Sequence, residues 1–549
     1  MRKNIKKMVQ KSDNSLRAVT FFLLVLLSSS ACSQQHPAKT NKADTLDQKW
    51  DQTIPGSFSG QTQATFDSTR VNRFLRIYPA FKPYTQAIQI FYRHRHYAYA
   101  WFEHGRLIEQ ASNLVNRMLN LKLEGLNKHA PYERQLDSLM FAGNTLETTT
   151  ELELMLTAQY FVFAKLAWTG QDEAFSRAAD WNLPRKKINY EQYLDTLTGR
   201  PATDLSNSGP VYRQYELLRQ YLAKYQLLAT QNWPIIRLSA NLQPGARSYL
   251  VHEIKIRLWQ LEDFYGDTTS LLYDASLKKA IARFQERHGL SADGLLNKAT
   301  LTELNIPIKQ RVDQLIVNME RSRWLPVKLE TDYLAVNIPE FKLHVYHGDS
   351  LLWSCNAVVG KTMNRTTVFY GELKQIVFCP YWNVPPGILR NEVLPAIKRQ
   401  PDYLATHHME VTGYNDGLPQ IRQKPGPDNP LGLIKFLFPN SYNIYLHDTP
   451  SKSLFNENQR AFSHGCIRIS EPARLAAFLL KDRPDWSSDK INNYMHAGIE
   501  RSINLRKATP VFIVYFTAFV DRSGRLNFRK DIYKLDTLLL QALLIAGRE

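Results

Sequence analysis

A chain of 549 residues exceeds what one hydrophobic core supports, and 44% apolar with 22% charged residues exclude a disordered or fibrous protein, so several globular domains are expected. Sixty-nine Lys and Arg against 51 Asp and Glu give a formal charge of +18, which admits nucleic acid, an anionic membrane surface or an acidic polymer as partner. No zinc-finger spacing, RNP signature or basic-aromatic stripe accompanies that charge, which turns the reading away from nucleic acid.

Residues 1–31 read as a signal peptide: a basic start (MRKNIKKMVQK) precedes the apolar run 19–27 (VTFFLLVLL), which is too short to span a bilayer as a mature helix. Ser29-Ser30-Ala31-Cys32 follows and resembles a bacterial lipoprotein cleavage box, with Ser29 standing where Leu is usual. It implies lipidation of Cys32 and an exported protein tethered at the periplasmic face of a bacterial membrane. Export means an oxidising space, where cysteines are expected in pairs. With Cys32 committed to lipid, Cys355, Cys379 and Cys466 are an odd number, so at least one thiol stays free. Cys355 and Cys379 read as core thiols, although a bridge between them is compatible with their spacing.

Residues 32–63 carry the Cys32 anchor and a polar tether with little apolar content. From 64 to 238 apolar residues recur three and four apart, which predicts a helical scaffold domain. Residues 239–306 form a unit of their own, with two helical stripes, a helix end at His288-Gly289 and a turn at Asp293-Gly294. Residues 307–330 read as a helical connector. From 331 to 480 the period becomes strand-like, with a turn at His347-Gly348-Asp349 and a helical insertion over about 385–410. Residues 481–549 add helices and the strand-like PVFIVYFTAFVD, expected to pack on the preceding domain.

The chemistry concentrates around Cys466. A thiolate is the nucleophilic form of cysteine, and a histidine in hydrogen-bond reach lowers the thiol's pKa through an ion pair and later returns the proton to a leaving group. His464 lies two residues away, where adjacent side chains on one strand face stand about 6–7 Å apart. His447 comes from a separate strand over 443–447, alternates away from the apolar Ile444 and Leu446, and is the preferred base, with His464 orienting or lining the site. Gly465 permits a tight turn that could aim the amides of Gly465 and Cys466 at an oxyanion. A zinc site from His447, His464 and Cys466, with His407 or His408, has the ligand types but not the paired spacings.

Two resemblances follow from these residues. Ala280-Ile281, Phe284-Gln285, His288-Gly289-Leu290, Asp293-Gly294, Thr300 and Leu304-Asn305 resemble the small three-helix peptidoglycan-binding domain of bacterial wall enzymes. His447 with Ser463-His464-Gly465-Cys466-Ile467-Arg468 resembles the L,D-transpeptidase (YkuD-like) catalytic domain. Val359-Gly360-Lys361, Trp382-Asn383-Val384-Pro385, Arg422-Gln423, Lys435-Phe436 and Tyr445 to Pro450 are similar to its large, multi-domain branch. The resemblance implies a multi-domain α+β protein: a helical N-terminal scaffold, the three-helix unit, and a mainly-β catalytic domain whose helical insertion caps the cleft. It implies a Cys466 acyl-enzyme with His447 as base then acid, and orienting or oxyanion roles for Gly465, His464, Asp448 and Ser463. Substrate contacts would come from Arg468, Tyr445, Trp382 and Arg422. The expected partners are peptidoglycan stem peptides and glycan, with no cofactor, no metal and no nucleic acid. Hydrolysis by the same cysteine, as an L,D-carboxypeptidase, and a non-catalytic wall-binding lipoprotein stand as alternatives.

Overall fold

The computed structural model describes residues 64–142, 145–199, 209–237, 242–326 and 329–546. The signal segment, Cys32 and the tether over 32–63 lie outside them. Among the described residues no helix is long and apolar enough to cross a membrane.

The N-terminal part is helical and organised around the helix Leu146–Phe163. Thr145 starts this helix with a capping box, its hydroxyl accepting from the Thr148 N–H while the Thr148 hydroxyl accepts from its own. Apolar residues on every side bury it completely from Leu152 to Phe163, as befits a helix at the centre of a bundle. Three short strands interrupt this part: the hairpin β1 (Phe102–Glu103) and β2 (Arg106–Leu107), and β3 (Trp181–Asn182), which joins the sheet of the C-terminal domain.

Helices Tyr249–Gln260, Ala275–Arg287 and Lys298–Leu304 form the three-helix unit, capped by the side chains of Ser248, Asp274 and Asn297. Leu277, Ile281 and Phe284 are buried. Gly289 and Gly294 adopt φ of +68° and +70°, the left-handed conformation that ends the second helix and makes the following turn.

The helix Ile308–Trp324, expected as a connector, is a shared core element. Leu315 and Met319 enter the apolar cluster of the scaffold, whereas Val317 and Trp324 enter that of the β domain. The charged residues of its C-terminal half are buried and paired, Arg323 with Glu320 and Arg321 with Asp536 at 2.5 Å. Covered on two sides, that half has no solvent face on which to leave charges single.

The β domain begins with the meander β4 (Asp332–Asn337), β5 (Lys342–His347) and β6 (Ser350–Gly360), turning at Gly348 (φ +52°). Alternation buries Leu334, Val336, Leu343 and Val345 on one face. β7 (Val368–Phe378) leads into the insertion with β8 (Trp382–Asn383), β9 (Met409–Asn415) and β10 (Leu418–Gln423). The chain returns through β11 (Ile434–Leu437), β12 (Leu446–His447), β13 (Ala461–Ser463), β14 (Ile467–Ile469) and β15 (Arg501–Val514). The neighbour order β11-β12-β14-β6-β5-β4-β15-β7, with β11 also paired to β7, closes this sheet on itself.

Three sequence-based boundaries move. The expected domain end at residue 480 omits β15, which runs parallel to β4 (Val511↔Leu334) and antiparallel to β7 (Phe512↔Tyr370) and fills the gap between them. Its apolar stretch, read as strand-like, is buried on both faces, and its sequence does not show which sheet it completes. The hairpin β16 (Ala518–Val520) and β17 (Leu526–Phe528) docks on the scaffold, with Gln214 bonded to both backbone groups of Val520 at 2.8 Å. The insertion is also larger than its helices: β8-β10-β9 form a three-stranded sheet, and Leu389, Val393 and Ile421 give this cap a core of its own.

Candidate active site

β12 and β14 are parallel neighbours with Leu446 opposite Ile467 and His447 opposite Arg468, and the Ile467 N–H donates to the Tyr445 carbonyl at 3.1 Å. Cys466, at the entrance to β14, therefore stands beside Tyr445, one step diagonal from His447. Both Cys466 and His447 line a cleft of about 1050 Å³ between the closed sheet and the cap. Cys466 is a free thiol, as are the buried Cys355 and Cys379. The strand expected over 443–447 is ordered as strand only at Leu446–His447, because Asn443 takes a left-handed φ of +55°. That kink brings the Asn443 carbonyl to 3.6 Å from the thiol.

The electrostatics differ from the expected ion pair. Burial pushes the Cys466 thiol above its ordinary range, against the lowering pull of Tyr445 and Arg468. Burial, reinforced by the positive charges of Arg468 and Lys435, holds His447 down at about 3. The resting pair is thus neutral thiol and neutral imidazole. The Nδ1–H of His447 donates to the Asp448 carbonyl at 2.5 Å, which leaves Nε2 as the basic nitrogen.

The turn before Cys466 is closed by Ser463. Its hydroxyl donates to the Cys466 carbonyl at 2.5 Å and accepts the Gly465 N–H at 3.1 Å. The Gly465 amide is consequently occupied and is not an oxyanion donor, which leaves the N–H of Cys466 as the candidate. Gly465 has φ +118°, a conformation that strains any side-chain-bearing residue. Thr366, unmarked in the sequence reading, braces the turn from outside by donating to the Gly465 carbonyl at 2.7 Å while accepting the Gly360 N–H at 2.9 Å.

The remaining expected site residues divide. His464, Tyr445, Trp382 and Arg468 line the cleft. His464 faces Glu392 of the cap at 3.6 Å. Arg468 carries a buried Nε with no hydrogen-bond partner among the described residues. Asp448 orients His447 through its main chain only, since its carboxylate accepts from the Leu433 N–H at 3.0 Å and pairs with Lys452. Arg422 does not reach the cleft: it is bonded to Glu410 at 2.7 Å and lies over the Tyr381 ring within the cap. Its β10 position places it across from β9, where a carboxylate already meets it. Lys361 and Lys435, present in the quoted motifs but assigned no role, line the cleft. Lys435 sits directly across from His447. The zinc alternative finds no support in placement, since no group of three His, Cys, Asp or Glu among the described residues is arranged to hold a metal ion.

Comparison with known proteins agrees with this domain structure. Residues 331–513 match the family model for the L,D-transpeptidase catalytic domain, 86–222 that of a scaffold domain, and 247–304 that described as "Putative peptidoglycan binding domain". A Haemophilus influenzae protein named "Putative L,D-transpeptidase" is 33% identical over 242 residues, 41% of this chain and 48% of the relative, so the chain spans about half of that protein's length. Among solved structures, an L,D-transpeptidase from Mycobacterium smegmatis is 14% identical over 33% of this chain and 58% of its own, with a TM-score of 0.18. One from Xylanimonas cellulosilytica is 13% identical over 51% and 99%, with a TM-score of 0.17. At those scores neither bears on fold or activity. The closed sheet that presents Cys466 and His447 to one cleft lies in the region that matches the L,D-transpeptidase catalytic domain (YkuD) model, joined in this chain to a region that matches the "Putative peptidoglycan binding domain" model.

Proposed function

We propose that the protein is a peptidoglycan L,D-transpeptidase that forms 3→3 cross-links through a thioester on Cys466. The observation that carries this reading is the shared cleft: a free thiol and a neutral, oriented imidazole open onto it together with Lys361, Lys435 and Arg468, against the single carboxylate of Glu392. Such a cleft suits a substrate with several carboxylates, as a tetrapeptide stem is.

His447 Nε2 takes the proton of Cys466 as Sγ attacks the carbonyl between meso-diaminopimelate and D-Ala. General-base removal during attack is what a neutral pair requires, because no preformed thiolate is stored. The C–N bond then breaks, His447 returns the proton to the departing D-Ala amine, and the acyl group stays on sulfur. The amine of a second stem attacks the thioester, loses its proton to His447, and Cys466 leaves with that proton. The cap covers the thioester and limits the approach of water, which favours the amine as acceptor.

Export with the Cys32 lipid anchor belongs to the same reading: it brings the cleft to the periplasmic face, where stems are found. Incubation with purified tetrapeptide muropeptides is expected to release D-Ala and yield dimers, and Cys466→Ala to do neither. Unchanged products from Cys466→Ala would remove the cysteine mechanism. Tripeptide monomers without dimers would instead identify a carboxypeptidase.

A further inference from the structure

A second cavity, of about 260 Å³, shares no lining residue with the catalytic cleft. Its floor is the outer face of the closed sheet, where Tyr333 and Ala335 of β4, Tyr346 of β5 and Phe512 of β15 point away from the barrel core. The scaffold's 212–214 segment and residues 519–522 close over it. The cavity thus exists only where the scaffold, the sheet and the C-terminal hairpin meet.

Its polar groups converge without being used. Tyr333 and Tyr346 stack with ring centroids 4.8 Å apart, and Tyr212 stands over the same space. Among the described residues none of these three hydroxyls has a hydrogen-bond partner, although hydroxyls at a domain junction ordinarily find one. Burial keeps all three protonated, so each can donate. The carboxylates deeper in the wall are engaged: Glu340 with His344 and Asn337, and Asp521 with Arg525 and Asn527. Arg213, Arg522 and Lys342 line the cavity in no ion pair among the described residues, and Asp349 is the one unpaired carboxylate facing them. The mouth therefore carries surplus positive charge above that aromatic floor, and Phe516, Phe519 and Leu351 add further apolar lining.

We infer that this cavity is a second binding site, for a small organic carboxylate with a flat apolar body. The body lies on the aromatic floor, the carboxylate reaches Arg213 and Arg522, and the phenols donate to its oxygens. Three phenol hydroxyls that open onto the cavity, and guanidiniums that among the described residues face no carboxylate in an ion pair, Arg522 lying over the Tyr346 ring, are the groups such a ligand would engage.

The test uses the full chain and the probe pair 2-naphthoate and its neutral amide, 2-naphthamide, followed by ligand-observed NMR and equilibrium dialysis. Saturable 1:1 binding of the carboxylate is expected, at least tenfold tighter than the amide. Arg522→Gln and Arg213→Gln should each weaken the carboxylate about tenfold or more and leave the amide nearly unchanged. Cys466→Ala should bind both probes as the parent does. Absence of saturable binding, equal affinity for the two probes, indifference to both arginine substitutions with circular dichroism unchanged, or loss of binding in Cys466→Ala would each overturn the assignment.

Discussion

The pH dependence of Cys466 reactivity separates two resting states of the thiol and imidazole. Burial pushes the thiol above its ordinary 9.0 and holds His447 at about 3. Moving the proton from Sγ to His447 is therefore uphill, because burial disfavours the charged form of both groups. Alkylation by iodoacetamide, read by intact mass with Cys466→Ala as the blank, reports the thiolate fraction directly. That fraction is small at pH 7, so the rate should climb roughly tenfold per pH unit from 6 to 9. His447→Gln should leave this profile in place while lowering acyl transfer by about 10²–10⁴-fold, because only acyl transfer needs the base. A rate plateau extending from pH 4 to 8, abolished in His447→Gln, would mean a stored imidazolium–thiolate pair and refute the reasoning.

Ser463→Ala leaves the Gly465 N–H and the Cys466 carbonyl without their buried partner, which costs roughly 1–3 kcal/mol and is checked by denaturant unfolding and by slower acylation of Cys466. Lys435→Met is expected to raise KM for anionic stems about tenfold with a smaller change in kcat, and to flatten the salt dependence of kcat/KM, since the lysine lines the cleft in no ion pair among the described residues. Arg422→Gln should leave KM and kcat nearly unchanged and cost no more than about 1 kcal/mol, because its exposed pair with Glu410 lies within the cap. Glu153, enclosed in the scaffold, has its pKa raised by burial to about 7 from 4.5, against the lowering hydrogen bonds from Ala100, Trp101 and Tyr92. Between those values the folded chain keeps a proton that the unfolded chain has lost, so stability falls as pH rises from 4.5 to 7, by up to roughly 3 kcal/mol. Thermal unfolding of the parent should show that slope, and Glu153→Gln should lack it.

The candidate nucleophile and base could be picked out from the sequence because their chemistry is written locally: Ser-His-Gly-Cys forms one turn, and Tyr445 to Asp448 alternates in sequence as a strand does. The three-helix unit was equally legible, since its caps and left-handed glycines sit in a single run of sequence. Arg422 was misread because a guanidinium in a motif looks the same whether it meets a substrate or Glu410. The outline of the cap was missed at Asp416-Gly417, where φ of +49° and +75° make the hairpin turn that a Gly after Asp announces. Lys435 carried no signal of its own, for its significance comes from standing on the neighbouring strand directly across from His447.

By itself the sequence determined which residues have reactive chemistry, where helical and strand periods change, and that the sulfur at 466 follows a turn only glycine allows comfortably. Tertiary structure decided the rest: that β15 closes the sheet, that one helix serves two cores, that the Gly465 amide is already bonded, and that thiol and imidazole are both neutral. Periodicity and turn chemistry act over a few neighbouring residues, whereas burial and the electrostatic field at a site sum contributions from segments hundreds of residues apart.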